Sequence, residues 1–411
     1  MHPSVSSEYS HIAAARHQTI VTDPEILEEL RKRKEAQRAQ ASPSRAAEVK
    51  TQGEQMSCQV PEDGWLFSAS EEPFHLRTWR SSLATGEDQE SLVARVASDW
   101  GMTAVSCKGC KSRGDSTVGQ DNFLIAKLAN DWKAVCVFDG HGVDGHWPAW
   151  RVTETIPHFL QEEPCSKMLK SGDGAKALTH AFKAAQEDLE AYALESGKDL
   201  HLCGTTATVA LIPPGHDSIW VATAGDSRAM LVDQQRVLNE TSDHKATRKD
   251  EADRIKDAGG QVIATEYDDG TEDCRIAPKD MVSPQIAISR SLGDMIFKDS
   301  GVTAVPEVVH WQVSSSESLL VICSDGVWEF LSSEEVREIL QESLQGSAPS
   351  APEAAHLLLQ QARRAWMQHE AFYCDDITVV LASLTGTCPV QNQSKTKEPC
   401  PGCQNQSCIP Q

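Results

Sequence analysis

The chain has 411 residues, 40% of them hydrophobic and 24% charged, the balance of a folded domain with room for appendages. Its formal net charge of -22 excludes nucleic acid as a general partner and favours cations and basic peptide segments. No stretch approaches the roughly 18 apolar residues that a membrane-spanning helix needs, so no membrane association is expected.

The first residues, Met1-His2-Pro3-Ser4, lack the apolar run of a secretory signal, and His2 stands where myristoylation requires glycine. Residues 1–60 form a polar arm. One helix is predicted in it, with Asp23 as N-cap, Pro24 at its first position, Glu25, Glu28 and Glu29 near its start and Arg31-Lys32-Arg33-Lys34 near its end. Ile26, Leu27 and Leu30 give only a thin apolar stripe, so this helix is expected to be solvated. Residues 61–100 carry Trp65, Phe67, Phe74, Trp79 and Trp100, too many large apolar groups for a linker, and are expected to pack on the surface of the domain that follows.

From residue 101 to 385 short apolar runs recur. Strands are predicted at 134–138, 206–212, 218–223, 229–232, 285–289, 319–323 and 377–382. Between them, Leu178, Ala181, Phe182, Ala185, Leu189 and Tyr192 recur at helical spacing. A second helix runs from about Thr247 to a left-handed stop at Gly259-Gly260, and Ser332 with Glu335 and Ser350 with Glu353 mark two more as capping boxes. The strands cluster rather than alternate with helices, which points to an α+β fold of stacked antiparallel sheets with helices outside. Most of the thirteen cysteines stand singly in apolar runs, as Cys136 and Cys323 do, and read as small buried hydrophobes of a reducing compartment. The expected location is therefore the cytoplasm, with the nucleus as a second compartment. Residues 386–411 form a polar tail with Cys388, Cys400, Cys403 and Cys408, whose spacing fits no standard zinc finger.

The chemistry lies in the aspartates. Asp139 follows the run 134–138 directly and is flanked by Gly140, His141 and Gly142. A strand delivers such a carboxylate to a fixed point, and the glycines let backbone approach whatever it binds. Asp325 ends the run 319–323 in the same way, Asp375-Asp376 opens the last strand, Asp121 precedes an apolar run from Asn122, and Asp226 interrupts a strand pair. One such aspartate is a common turn former, but five at strand mouths imply a shared task. Gathered carboxylates repel one another unless cations sit among them, and oxygen-only ligation selects hard ions, Mg²⁺ or Mn²⁺.

Residues 101–385 resemble the metal-dependent protein serine/threonine phosphatases of the type 2C (PPM) family. The resemblance rests on Gln120-Asp121-Asn122-Phe123, Val137-Phe138-Asp139-Gly140-His141-Gly142, Gly204-Thr205-Thr206-Ala207 and Ala224-Gly225-Asp226-Ser227-Arg228. It continues through Asp243-His244-Lys245, Ala258-Gly259-Gly260, Ile288 to Asp294, Cys323 to Trp328 and Asp375-Asp376-Ile377-Thr378. It implies a four-layer α-β-β-α sandwich of two antiparallel sheets flanked by helices. It also implies that Asp139 bridges two metals, with the Gly140 carbonyl completing one shell. Asp325 and Asp375 would ligate from the opposite sheet, Asp121 would hold metal waters, and Asp226 would recruit a third, weaker metal. Two cations about 4 Å apart make hydroxide available near neutral pH for in-line attack on phosphorus, with His141 as general acid to the departing serine or threonine oxygen.

Two departures from the family pattern stand out. Gln120 replaces a usual glutamate, and Ser116-Thr117-Val118 occupies the place of a phosphate-gripping arginine, leaving Lys111 or Arg113 as replacements and Lys108 as a third choice. Glu266, Asp268, Asp269, Glu272 and Asp273 read as a solvated acidic flap, with selection of basic-flanked phosphosites as the functional alternative. The expected partners are phosphorylated proteins, and the expected state is a monomer. A pseudophosphatase that binds phosphoproteins without turnover is the alternative, and a two-metal nuclease conflicts with the charge.

Overall fold

The computed structural model describes residues 17–21, 65–69, 79–83, 96–98, 100–112, 115, 117–266, 272–313, 318–344, 351–370 and 373–384. The sequence-predicted arm helix, the Ser350 cap, Arg113, Ser116, Asp268, Asp269 and the cysteine tail lie outside the described residues.

In the first half of the chain the strands are β1 (Ile20–Val21), β2 (Trp65–Ala69), β3 (Trp79–Leu83), β4 (Met102–Cys107), β5 (Asn122–Lys127), β6 (Lys133–Phe138), β7 (Gly140–Gly142) and β8 (Cys203–Thr205). Then follow β9 (Ala207–Ile212), β10 (Ser218–Ala224), β11 (Arg228–Val232), β12 (Val237–Glu240), β13 (Gln261–Glu266), β14 (Glu272–Ala277), β15 (Gln285–Ile286), β16 (Leu292–Gly293), β17 (Glu307–Gln312), β18 (Leu319–Cys323) and β19 (Ile377–Ser383). The helices are α1 (His146–Gln161), α2 (Cys165–Lys170), α3 (Gly174–Ser196), α4 (Lys249–Asp257), α5 (Met295–Lys298), α6 (Asp325–Trp328), α7 (Ser333–Leu344) and α8 (Ala351–His369).

Two antiparallel sheets face each other, one of seven strands in the order β17-β10-β9-β6-β5-β2-β3, the other of five in the order β12-β11-β18-β19-β4. Phe123, Ile125, Val135, Val137 and Val221 from the first sheet meet Met102, Leu231, Leu320, Ile322 and Val380 from the second. The outer face of the seven-stranded sheet packs through Leu124, Cys136 and Val209 against Val152 and Ile156 of α1 and Phe182 and Leu189 of α3. Val321, Val379 and Leu381 on the outer face of the other sheet are covered by Leu340 of α7 and Leu358 and Trp366 of α8. The expected α-β-β-α sandwich is therefore the observed fold. It also explains why β5, β6, β9 and β18 read as largely apolar runs without alternation, since both faces of each strand are buried.

Local signals set the helix limits. The Asp173 side chain accepts from Lys176 N at the start of α3, and Gly197 ends the helix in the left-handed region at φ 74°. Ser332 and Glu335 form the capping box of α7, with Glu335 N donating to Ser332 Oγ at 3.3 Å. After α4, Gly260 N donates to Ile255 O at 2.9 Å and Gly259 takes φ +86°, a left-handed stop as expected.

The largest difference in a boundary is at the run predicted to be strand to residue 289, which leaves its sheet after Ile286: Ile288 bridges to Lys245, and Ser289 bonds through N to His244 O and through Oγ to the buried Glu251 carboxylate of α4. A smaller four-stranded sheet, β1-β15-β14-β13, forms the flap beside the sandwich. In it Asp273 is paired with Arg275 at 2.6 Å, so part of the flap's acidity is neutralised internally.

A candidate metal centre at the mouth of the sandwich

The site is assembled where strands of both large sheets end. Asp139 falls between β6 and β7, and Asp121 immediately before β5, both on the seven-stranded sheet. Asp325 opens α6 directly after β18, and Asp375 precedes β19, both on the five-stranded sheet. Asp226 lies in the turn between β10 and β11. Backbone bonds fix the turn at Asp139: its N–H donates to Thr206 Oγ1 at 3.0 Å, and its carbonyl accepts from Thr206 N at 2.8 Å. Only glycine fits at the next position, since a Cβ on Gly140 would collide with the carbonyls of Gly145 and Gln120.

The carboxylates feel one another. Burial first, then the charges of Asp325, Asp121, Asp375 and Asp226, pushes the Asp139 carboxyl well above the usual carboxylate range. Asp325 is raised likewise, by burial and then by Asp375 and Asp226, and Asp121 is pushed up to about 7 by burial and the charge of Asp376. Asp325 Oδ1 is buried with no hydrogen-bond partner among the described residues. Groups that disfavour their own ionisation to this extent suit a binding site for positive charge. An oxygen-only donor set fits hard divalent cations.

The carboxylates are not drawn in around a point: no three His, Cys, Asp or Glu side chains among the described residues already enclose an ion-sized space. Asp375 Oδ1 is held by the Lys111 ammonium, and its Oδ2 accepts from Tyr373 Oη at 3.1 Å. Lys245 stands 3.3 Å from Asp226 in a similar role. Lysines thus serve as internal counter-ions. Asp139, His141, Lys111, Gln120 and Asp375 line one cavity of about 550 Å³.

His141 is buried, and its Nε2 lies 2.7 Å from Asp294 Oδ2, which fixes the ring and leaves Nδ1 without a partner among the described residues. Of the three basic candidates for gripping phosphate, Lys111 lies in the cavity, whereas Lys108 is tied to Asp115 at 2.9 Å. The Gln120 amide donates to Gly142 O at 2.7 Å, a bond that a glutamate there would not make. Asp376, the neighbour of Asp375, is a scaffold group: it accepts from Gly109 N at 2.7 Å and from Gln120 N, and so braces the loop before Asp121. Sequence reasoning assigned no role to Asp294 or Lys245. Asp294 is 153 residues from His141, and its one local mark is a positive φ of 51°, unusual outside glycine.

The family model described as protein phosphatase 2C matches residues 101–370. A rice protein named probable protein phosphatase 2C 64 is 32% identical over 323 residues, covering 75% of this chain and 72% of its own length. Probable protein phosphatase 2C 35 of Arabidopsis thaliana is 33% identical over 271 residues, covering 60% of this chain and 72% of its own. The solved serine-threonine phosphatase 2C from Toxoplasma gondii superposes with a TM-score of 0.55 at 21% identity, over 69% of this chain and 94% of that one, a likeness of fold. The chain belongs to the protein phosphatase 2C family, whose members are metal-dependent protein serine/threonine phosphatases.

Proposed function

We propose that this phosphatase releases phosphate from phosphoserine and phosphothreonine at a centre of two divalent cations, Mg²⁺ or Mn²⁺. Asp139, the Gly140 carbonyl, Asp325 and Asp375 would hold them, with Asp121 on their waters and a third, weaker cation beside Asp226. The observation that supports this most is the convergence of Asp121 and Asp139 from one sheet with Asp325 and Asp375 from the other, where burial and neighbouring carboxylates raise Asp139 and Asp325. Bound cations supply the charge that offsets these groups and an activated water for attack on phosphorus.

The chain's own residues do the rest. Lys111, which holds Asp375 at the cavity wall, would offer its ammonium as a point charge for the substrate phosphate. Arg113, outside the described residues, is the second candidate for that grip. His141 gives its proton to the leaving oxygen, and Asp294 orients the ring through Nε2. Phosphorylated proteins in the cytoplasm, and in the nucleus as a second compartment, would be the substrates of a monomeric enzyme, with no nucleic-acid partner.

Hydrolysis of para-nitrophenyl phosphate and of a phosphothreonine peptide, measured with Mn²⁺ and then with excess chelator, tests this reading. Turnover that stops on chelation and returns with added metal is expected. Undiminished turnover in chelator, or none with Mn²⁺, would contradict it.

A further inference from the structure

The catalytic cavity is not lined by residues 101–385 alone. His17, Gln18, Thr19 and Ile20, from the amino-terminal arm, border the same space as Asp139 and His141. They are fixed there at both ends. On the flap side, Ile20 and Val21 pair antiparallel with Ile286 and Gln285, and Ala287 N donates to Thr19 O at 2.8 Å. Ile20 packs with Leu202, Ile276 and Ile286, while Arg275 Nη1 donates to Gln18 O at 2.6 Å.

On the opposite side His17 is the anchor. Its imidazole is 5% exposed, with Nε2 2.8 Å from Glu370 and Nδ1 3.3 Å from Glu329. The ring stacks on Tyr373 at 5.6 Å and meets the edge of Trp366 at 5.1 Å. Burial lowers the pKa of this imidazole, but hydrogen bonds to Glu329 and Glu370 raise it more, which favours a charged anchor. Tyr373 in turn donates to Asp375. The arm thus spans from the flap to the turn that carries a catalytic carboxylate.

We infer that His17–Ile20 form a substrate-selecting wall of the active site, against which the polypeptide flanking a phosphorylated residue must lie. A cavity of about 550 Å³ remains with the arm in place, within the roughly 300–1,000 Å³ of ligand pockets, so the arm borders the site and does not plug it. A small aryl phosphate reaches the carboxylates without touching this wall. A phosphopeptide does not. The inference rests on the assignment of this cavity as the catalytic one.

The test uses the full chain with His17→Ala and, separately, Ile20→Asp, which release the arm from opposite ends. For each, kcat and KM are measured on a phosphothreonine peptide and on para-nitrophenyl phosphate, with amide exchange at Ala287 reporting release. The ratio of kcat/KM on the peptide to that on the aryl phosphate is expected to fall about tenfold or more, carried by KM. If one variant does not fold, the other reads the same contact. A ratio unchanged after demonstrated release overturns the proposal, as does a rising ratio, which would make the arm a cover. Absence of aryl phosphate turnover by the wild type would instead sink the catalytic reading itself.

Discussion

His141 and Asp294 form a buried pair, and the proton transfer proposed for it depends on the leaving group. A serine or threonine alkoxide is a poor leaving group and needs a proton as the bond to phosphorus breaks, whereas para-nitrophenolate departs readily without one. His141→Ala should therefore lower kcat on a phosphothreonine peptide about 100-fold, a usual contribution of general acid catalysis, and lower kcat on para-nitrophenyl phosphate much less. Asp294→Asn keeps the shape but removes the charge beside Nε2, and should reproduce the same split more weakly. Equal losses on both substrates would show that the pair only supports structure. Five of the aspartates were legible in the sequence because each ends or opens an apolar run. Asp294 was not, because its partner is remote in the chain and its own surroundings, Leu292-Gly293-Asp294, signal only a turn.

At the scale of elements, α4 is tied to the loop after the flap by one buried carboxylate. Glu251 is fully buried, paired with Arg254 and Arg290 at 2.6 Å each and accepting from Ser289 Oγ. Burial alone would raise its pKa, but the hydrogen bonds from Arg254, Arg290 and Ser289 outweigh burial and hold it well below the usual range. A carboxylate with a depressed folded pKa adds stability above its unfolded value, about 4.3, and loses it as pH falls toward the folded one. Glu251→Ala should cost about 3 kcal/mol at pH 7 in urea unfolding, and the gap between variant and wild type should shrink below about pH 4. A gap independent of pH would contradict the assignment. The same elements show what pattern reading can reach. β18 was legible residue for residue, and β6, β9 and β19 nearly so, because burial on both faces writes itself as an apolar run. β13 was not, since its residues are half-buried or exposed and it exists through its pairing with β14 across the flap hairpin. β1 is too short to leave a pattern, and its place is set by contacts with residues more than 250 positions away.

On the scale of the whole molecule, the sandwich brings together carboxylates that the sequence scatters from Asp121 to Asp375. Neither sheet suffices alone: Asp121 and Asp139 belong to one, and Asp325 and Asp375 to the other. The apolar layer between the sheets, with Phe123, Val137 and Ile322 at its heart, therefore holds two half-sites in register as well as stabilising the fold. Sequence placed these groups at strand mouths, but it could not show Lys111 on Asp375, nor the arm at the cavity wall, because both contacts join segments that only the folded chain makes neighbours.

The central claim is that these carboxylates, gathered from both sheets, are built to hold cations. Calorimetric titration of the metal-free protein with Mn²⁺ measures it directly, in the wild type and in Asp139→Asn and Asp325→Asn. The account predicts saturable binding by the wild type and losses in both variants larger than the roughly 10–100-fold that removal of an outer-sphere partner causes. Undiminished Mn²⁺ affinity in either variant would contradict it.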